Sequence, residues 1–225
     1  MNMKKCIALL VVAGLVPVSL MAGPARFRAE IKPLGVLSSS DIDDKGIRYD
    51  GGFYTYSETL DGTGSYYGTA QLGVEIDTGI GYLDILGGGG VFANGGFAGG
   101  LLVGDIGYRF KLNESGTLAI GPFFGIVVPG DSEWELDDED ESVDLKGSGG
   151  FQGGVKFTGG WEHVSFIVQV GYADFSYDME PEGNLADWEY TENGGATWTS
   201  WNLVGDEPEL DMAGLFGEFG VSIQF

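Results

Sequence analysis

The chain has 225 residues, room for one all-β domain or barrel, and carries 34 Asp and Glu against 11 Lys and Arg, a formal charge of −23. Such a surface repels nucleic acid and an anionic membrane face while attracting divalent cations and basic partners. The 41 glycines, with 7 prolines and no period of three, exclude collagen and point to many tight turns between strands.

The first residues, MNMKKCIALLVVAGLVPVSLMA, set Lys4 and Lys5 ahead of the apolar run Ile7–Val16 and then small residues. That is the layout of a secretory signal peptide over residues 1–22, with cleavage after Ala22 or as late as Ala25. The run is too short to cross a bilayer as a helix. Its loss takes two of the 11 cations, so 9 remain against 34 acids and the processed charge is −25. Cys6, the single cysteine, leaves with it, so residues 23–225 are expected to hold no thiol, disulfide or lipid on cysteine. No later apolar stretch approaches twenty residues, which excludes a helical membrane protein.

From Arg26 the chain alternates, with Phe27, Ala29 and Ile31 on one face and Arg28, Glu30 and Lys32 on the other. A period of two makes this a strand with one apolar and one charged side. Pro33 removes a ladder donor and is expected to mark a bulge. A polar section, Ser38–Gly64, follows, in which IRYDGGFYTY could extend the neighbouring strands. The second strand, Tyr66–Ile76, sets Tyr66, Ala70, Leu72, Val74 and Ile76 against Tyr67, Thr69, Gln71 and Glu75, and Asp77-Thr78-Gly79 turns it. The third sets Leu83 and Ile85 opposite Tyr82 and Asp84. Gly87–Gly100 reads as a glycine-rich connection with Asn94-Gly95 at its tip. The fourth strand, Leu102–Leu112, carries Ile106, Tyr108, Phe110 and Leu112 outward and Asp105, Gly107, Arg109 and Lys111 inward.

Asn113–Gly116 turns the chain into a fifth strand whose outer face is Leu118, Ile120, Pro122, Phe124, Ile126 and Val128. Pro122 poses the same ladder problem as Pro33. Asp131–Asp144 holds nine acids and no cation and reads as a solvated loop. The sixth strand is Phe151–Thr158, Gly159–Trp161 is a turn, and the seventh points Val164, Phe166, Val168, Val170 and Tyr172 outward. Asp174–Asp211 then holds eleven acids, no Lys or Arg, and Trp188, Trp198 and Trp201.

The last strand, Leu215–Phe225, alternates most cleanly: Leu215, Gly217, Phe219, Val221, Ile223 and Phe225 against Glu218, Gly220, Ser222 and Gln224. Eight strands result, with short connections alternating with long ones. An apolar-out final strand ending on Phe resembles the assembly signal of Gram-negative outer-membrane barrels, which would assign that role to Phe219, Val221, Ile223 and Phe225. In overall plan the processed chain resembles the small eight-stranded outer-membrane β-barrels of the OmpA and OmpX kind. The resemblance implies a closed antiparallel transmembrane barrel with short periplasmic turns and long extracellular loops. Its expected partners are outer-membrane lipid, lipopolysaccharide and the barrel-assembly machinery.

Inside such a barrel the inward set is Arg28, Glu30, Lys32, Glu75, Asp105, Arg109, Lys111, Lys156 and Glu218. Eight strands leave a lumen that side chains can fill, so these charges are expected to pair and plug it; a narrow pore for small solutes is the alternative. The acidic loops could attract divalent cations. Asp41-x-Asp43-x-x-Gly46 is a poor calcium loop, because Lys45 stands at a ligand position and Gly52 replaces the closing Glu. The three loop tryptophans, with Tyr190, suit sugar or protein contacts, loop packing, or an interfacial girdle. An outer-membrane lipid-modifying enzyme is the third reading. It would need a histidine base near the outer rim, whereas the single histidine, His163, lies beside the Gly159–Trp161 turn. The expectation is therefore a monomeric non-enzyme without cofactor or metal site, acting structurally or through surface interactions.

Overall fold

The computed structural model describes residues 24–39, 42, 44–52, 55–60, 64–136, 142–161, 163–181, 183–203 and 208–225. The signal-peptide reading, Asp41 and Asp43 of the calcium-like motif, and residues 137–141 of the acidic run lie outside these. The first half holds strands β1 (Ala25–Ser38), β2 (Gly46–Asp50), β3 (Thr55–Thr59), β4 (Ser65–Asp77), β5 (Gly81–Asn94), β6 (Phe97–Lys111) and β7 (Leu118–Pro129). The second holds β8 (Ser132–Glu135), β9 (Ser142–Gly160), β10 (Val164–Pro181), β11 (Trp188–Thr191), β12 (Thr199–Ser200), β13 (Glu209–Asp211) and β14 (Gly214–Gln224).

Eight of these, β1, β4, β5, β6, β7, β9, β10 and β14, pair antiparallel in that order, and β14 pairs back onto β1. The sheet therefore closes into a ring without a free edge among these strands. Two tight turns fall where the Asp77-Thr78-Gly79 and Asn113–Gly116 chemistry predicts, and the third is displaced: Gly159 and Gly160, read as a turn, are paired residues of β9, and the chain reverses between Trp161 and Val164. Gly79 takes φ +88° in the first, where its N–H is held 2.8 Å from Asp77 Oδ1. In the second, Gly116 N–H donates to Asn113 O at 3.0 Å. Trp161 N–H donates to Val164 O at 2.8 Å in the third.

The two prolines behave differently. At Pro33 the pairing of β1 with β14 and with β4 changes register, a bulge, and Tyr66 donates its hydroxyl to the Pro33 carbonyl at 2.8 Å. Pro122 sits opposite Val155 with the β7–β9 register unbroken.

Several expectations are corrected. The stretch Gly87–Gly100 is not a connection but the continuation of β5 and the start of β6, joined at Asn94–Phe97 by a two-residue turn. Its glycines serve close strand approach: a Cβ at Gly88 would lie 2.0 Å from the Ala70 carbonyl oxygen. The sixth strand runs Ser142–Gly160 rather than Phe151–Thr158, and the seventh continues to Pro181. Of the acidic loop Asp131–Asp144, Ser132–Glu135 is strand β8, paired with β9. IRYDGGFYTY does not lengthen the ring. Its β2 pairs with β3 and with β11, giving a separate four-stranded sheet β12-β11-β2-β3 that joins the first and last long connections. Ile76, on the outward side of β4, is buried rather than exposed.

Candidate functional site: the lumen and its cap

The ring's inner face changes character along its axis. On β14, moving away from the turns, the inward residues are Gln224, Ser222, Glu218 and then Phe216; on β6 they are Arg109, Asp105 and then Val103, Leu101 and Phe97; on β4 they are Glu75, Gln71, Thr69 and then Tyr67. β1 follows the same rule, with Arg28, Glu30 and Lys32 before Leu37. The turn-side half of the lumen is thus charged and the loop-side half apolar.

In the charged half one connected network holds eight ionised groups. Lys32 pairs with Glu218 at 3.3 Å and with Glu30 at 3.9 Å; Glu30 accepts from Arg28 Nε at 2.7 Å and from Lys156 Nζ at 3.0 Å. Arg28 also reaches Glu75, Glu75 receives Arg109 Nη2 at 2.5 Å, and Arg109 Nε meets Asp84 at 2.7 Å. The fifth carboxylate, Asp105, is held by amides: Gln152 Nε2 donates at 2.6 Å and Gln71 Nε2 at 2.8 Å. Each of these nine side chains is buried. Taking charges out of water is costly, so the pairing compensates desolvation and sets geometry more than it adds stability.

Of the inward set read from sequence, Arg28, Glu30, Lys32, Glu75, Asp105, Arg109, Lys156 and Glu218 lie in this half. Lys111 does not join the network. It sits half-buried at the turn-side rim, its Nζ 2.7 Å from Asp77 Oδ1. Asp84 was missed, although it falls on the polar side of the Leu83/Ile85 alternation. The inward polar side chains Thr69, Gln71, Gln152, Gln169 and Ser222, all buried, were also left out because uncharged residues carry no pairing signal.

The apolar half is continuous with the cap. Tyr67, Phe92, Phe97, Phe123, Phe175, Tyr177 and Phe216 form one buried cluster with Ile47, Trp134, Trp188, Tyr190 and Trp201 from the long connections. Ring contacts run through it: Tyr67–Phe216 at 5.4 Å, Phe123–Phe216 at 6.2 Å, Phe92–Phe97 at 5.7 Å and Phe97–Trp134 at 6.2 Å. Trp134 Nε1 donates to Glu58 Oε2 at 3.0 Å. Burial first, and then nearby Glu192, push the Tyr190 phenol above its ordinary range. Of the three loop tryptophans, Trp188 and Trp201 are thus packing residues. Trp198 is half-buried, with the Arg48 guanidinium 4.7 Å above its ring, and Arg48 also pairs with Glu189.

A cavity of about 310 Å³ opens at the turn-side end, lined by Arg26, Asp77, Tyr82, Arg109, Lys111, Thr158, Ser165 and Gln224 among others. His163 lies exposed beside it in sequence, in the turn before β10, where its carbonyl accepts from Gln224 N–H at 2.9 Å. Among the described residues no cluster of three His, Cys, Asp or Glu could hold a metal ion, and no helix is long and apolar enough to cross a membrane.

No protein-family model matches the sequence, and no curated protein matches it. Among solved structures the chain is similar to the crystal structure of the outer membrane protein OprG from Pseudomonas aeruginosa, at 13% identity and a TM-score of 0.39, over 90% of this chain and 97% of that one. At that distance the functional reading rests on this chain's own residues.

Proposed function

We propose that this protein is an integral outer-membrane β-barrel with a plugged lumen, serving a structural or surface-interaction role through its acidic loop cap. The observation that carries this is inversion. All eight ring strands expose large apolar side chains outward, from Phe27 at 72% and Leu72 at 69% to Leu102 at 66% and Leu215 at 70%, while charges are buried inside. A soluble protein rarely exposes so wide an apolar belt; hydrocarbon accepts it, and a closed ring satisfies the backbone there.

In this reading the short turns face the periplasm and the long connections face outward. The assembly machinery reads Phe219, Val221, Ile223 and Phe225, so deletion of Phe225 lowers membrane levels without stopping secretion. Outer-membrane lipid and lipopolysaccharide surround the monomer, and divalent cations bridge acidic loops to lipopolysaccharide phosphates. No enzymatic step is assigned. The turn-side cavity favours a second reading, a narrow solute channel. Conductance of the purified, refolded protein in a planar bilayer separates the two. Silence from inserted protein is expected, and steady discrete conductance altered by Arg109→Ala or Glu218→Ala would replace the plug with a channel.

A further inference from the structure

Four buried polar atoms in the charged half have no hydrogen-bond partner among the described residues: Arg28 Nη2, Gln169 Nε2, Glu218 Oε2 and Ser222 Oγ. The Glu218 oxygen lies 3.3 Å from Lys32 Nζ, an ion pair without hydrogen-bond geometry. These atoms belong to one seam. Gln169 faces Glu218 across β10 and β14, Ser222 faces Glu30 across β14 and β1, and Arg28 faces Gln224. The four residues are thus cross-strand neighbours along one inward strip of β10, β14 and β1. Buried groups of this kind are ordinarily completed by water, each molecule making about three hydrogen bonds.

The seam has a mouth and an end. Its mouth is the turn-side cavity, whose walls include Gln224 and Ser165; Ser165 faces Ser222, the next inward residue of β14. Its end is Phe216, the next inward side chain of β14 beyond Glu218, which packs on Tyr67 and Phe123. The Tyr67 hydroxyl spends its proton on Gln152 Oε1 at 2.7 Å, and beyond it the rings of Phe216 and Phe123 present apolar surface.

We propose that the lumen is a blind aqueous cleft: water enters from the turn side, follows the β10–β14–β1 seam to Gln169 and Glu218, and stops at the aromatic layer of Phe216, Tyr67 and Phe123. The proposal rests on the plugged-barrel reading and divides the plug into its parts. The ion network is wetted and reachable from one side, and the aromatic layer is the seal. The Lys32–Glu218 pair then exchanges protons with the turn side alone.

Single cysteines test this in a Cys6→Ser chain purified from membranes in detergent, each checked for heat-modifiable migration. Ser165→Cys lines the cavity, Ser222→Cys and Gln169→Cys sample the seam, and Val127→Cys lies beyond the seal. Each is exposed to silver ion, whose size is close to that of water, and the remaining thiol is alkylated and counted after unfolding. Ser222→Cys and Gln169→Cys are expected to react within about ten-fold of Ser165→Cys, and Val127→Cys about a thousand-fold more slowly, since a core thiol waits on a costly opening. Seam cysteines as protected as Val127→Cys would overturn the cleft, and a reactive Val127→Cys would overturn the seal. Bilayer conductance of the parent protein keeps these apart from the underlying reading: a dry seam in a silent barrel sinks only the cleft, whereas steady conductance sinks the plug.

Discussion

The two halves of the lumen fill the same ring by opposite chemistry. Near the turns, Arg28, Glu30, Lys32, Glu75, Asp84, Arg109, Lys156 and Glu218 neutralise one another in a chain of ion pairs. Near the loops, Phe92, Phe97, Phe123, Phe175 and Phe216 pack as in a soluble core, with tryptophans from the cap above them. The difference shows that a closed ring of strands with an apolar exterior need not have a polar interior throughout. Where the strands continue beyond the turn-side half, the enclosed space joins a second sheet and can be dried by aromatic rings, and there the hydrophobic effect contributes as in any globular core.

The halves should fail differently. Among the largest effects expected is that of Arg109→Leu, which leaves Glu75 and Asp84 short of a buried cation and costs about 3–5 kcal/mol in urea unfolding of the refolded protein. Adding Glu75→Gln and Asp84→Asn to that variant should recover much of the loss, because a removed pair is tolerated better than a broken one. In the apolar half Phe123→Ala is expected to cost about 3–5 kcal/mol through cavity formation, and here only volume restores stability: Phe123→Leu should cost roughly 1.5 kcal/mol or less.

On the outward face Ile106→Lys, in the middle of the outward run Leu102 to Leu112, should cost about 2–4 kcal/mol if that position lies at a bilayer midplane and lower the inserted fraction in heat-modifiability gels. If Ile106→Lys instead leaves insertion unchanged, the outer face does not meet lipid. The smallest effect belongs to the cap, where Arg48→Ala removes a partly exposed pair with Glu189 and should change stability by about 1 kcal/mol or less, an effect that fades further in salt.

Much of the ring was legible because each strand states its own faces. Phe27, Ile31, Ile106, Phe110, Val168 and Phe219 sit outward where alternation predicts, and Pro33 marks a bulge. Gly88 and Gly90 misled because a glycine run reads as loop, whereas here it lets backbones approach too closely for a side chain. Phe123 and Phe124 show the sharper limit. They are adjacent and chemically identical, yet one is in the core and the other is 56% exposed. Alternation separates them but does not say that the inward one meets other rings rather than charges.

Pairing across the long connections was equally hidden. Trp188 lies opposite Tyr49, 139 positions earlier by their numbers, and nothing local to either segment names the other. The sequence by itself determined that eight ring strands exist, which face of each is apolar and on which rim each connection lies, because a period of two and turn chemistry act over a few residues; strand lengths and the short strands within the connections escaped it. Only the tertiary structure decided which inward residues meet, where charge gives way to aromatic packing, and how the acidic connections bury their tryptophans. Those outcomes depend on ring closure, which brings together side chains far apart in the chain and removes them from water at once.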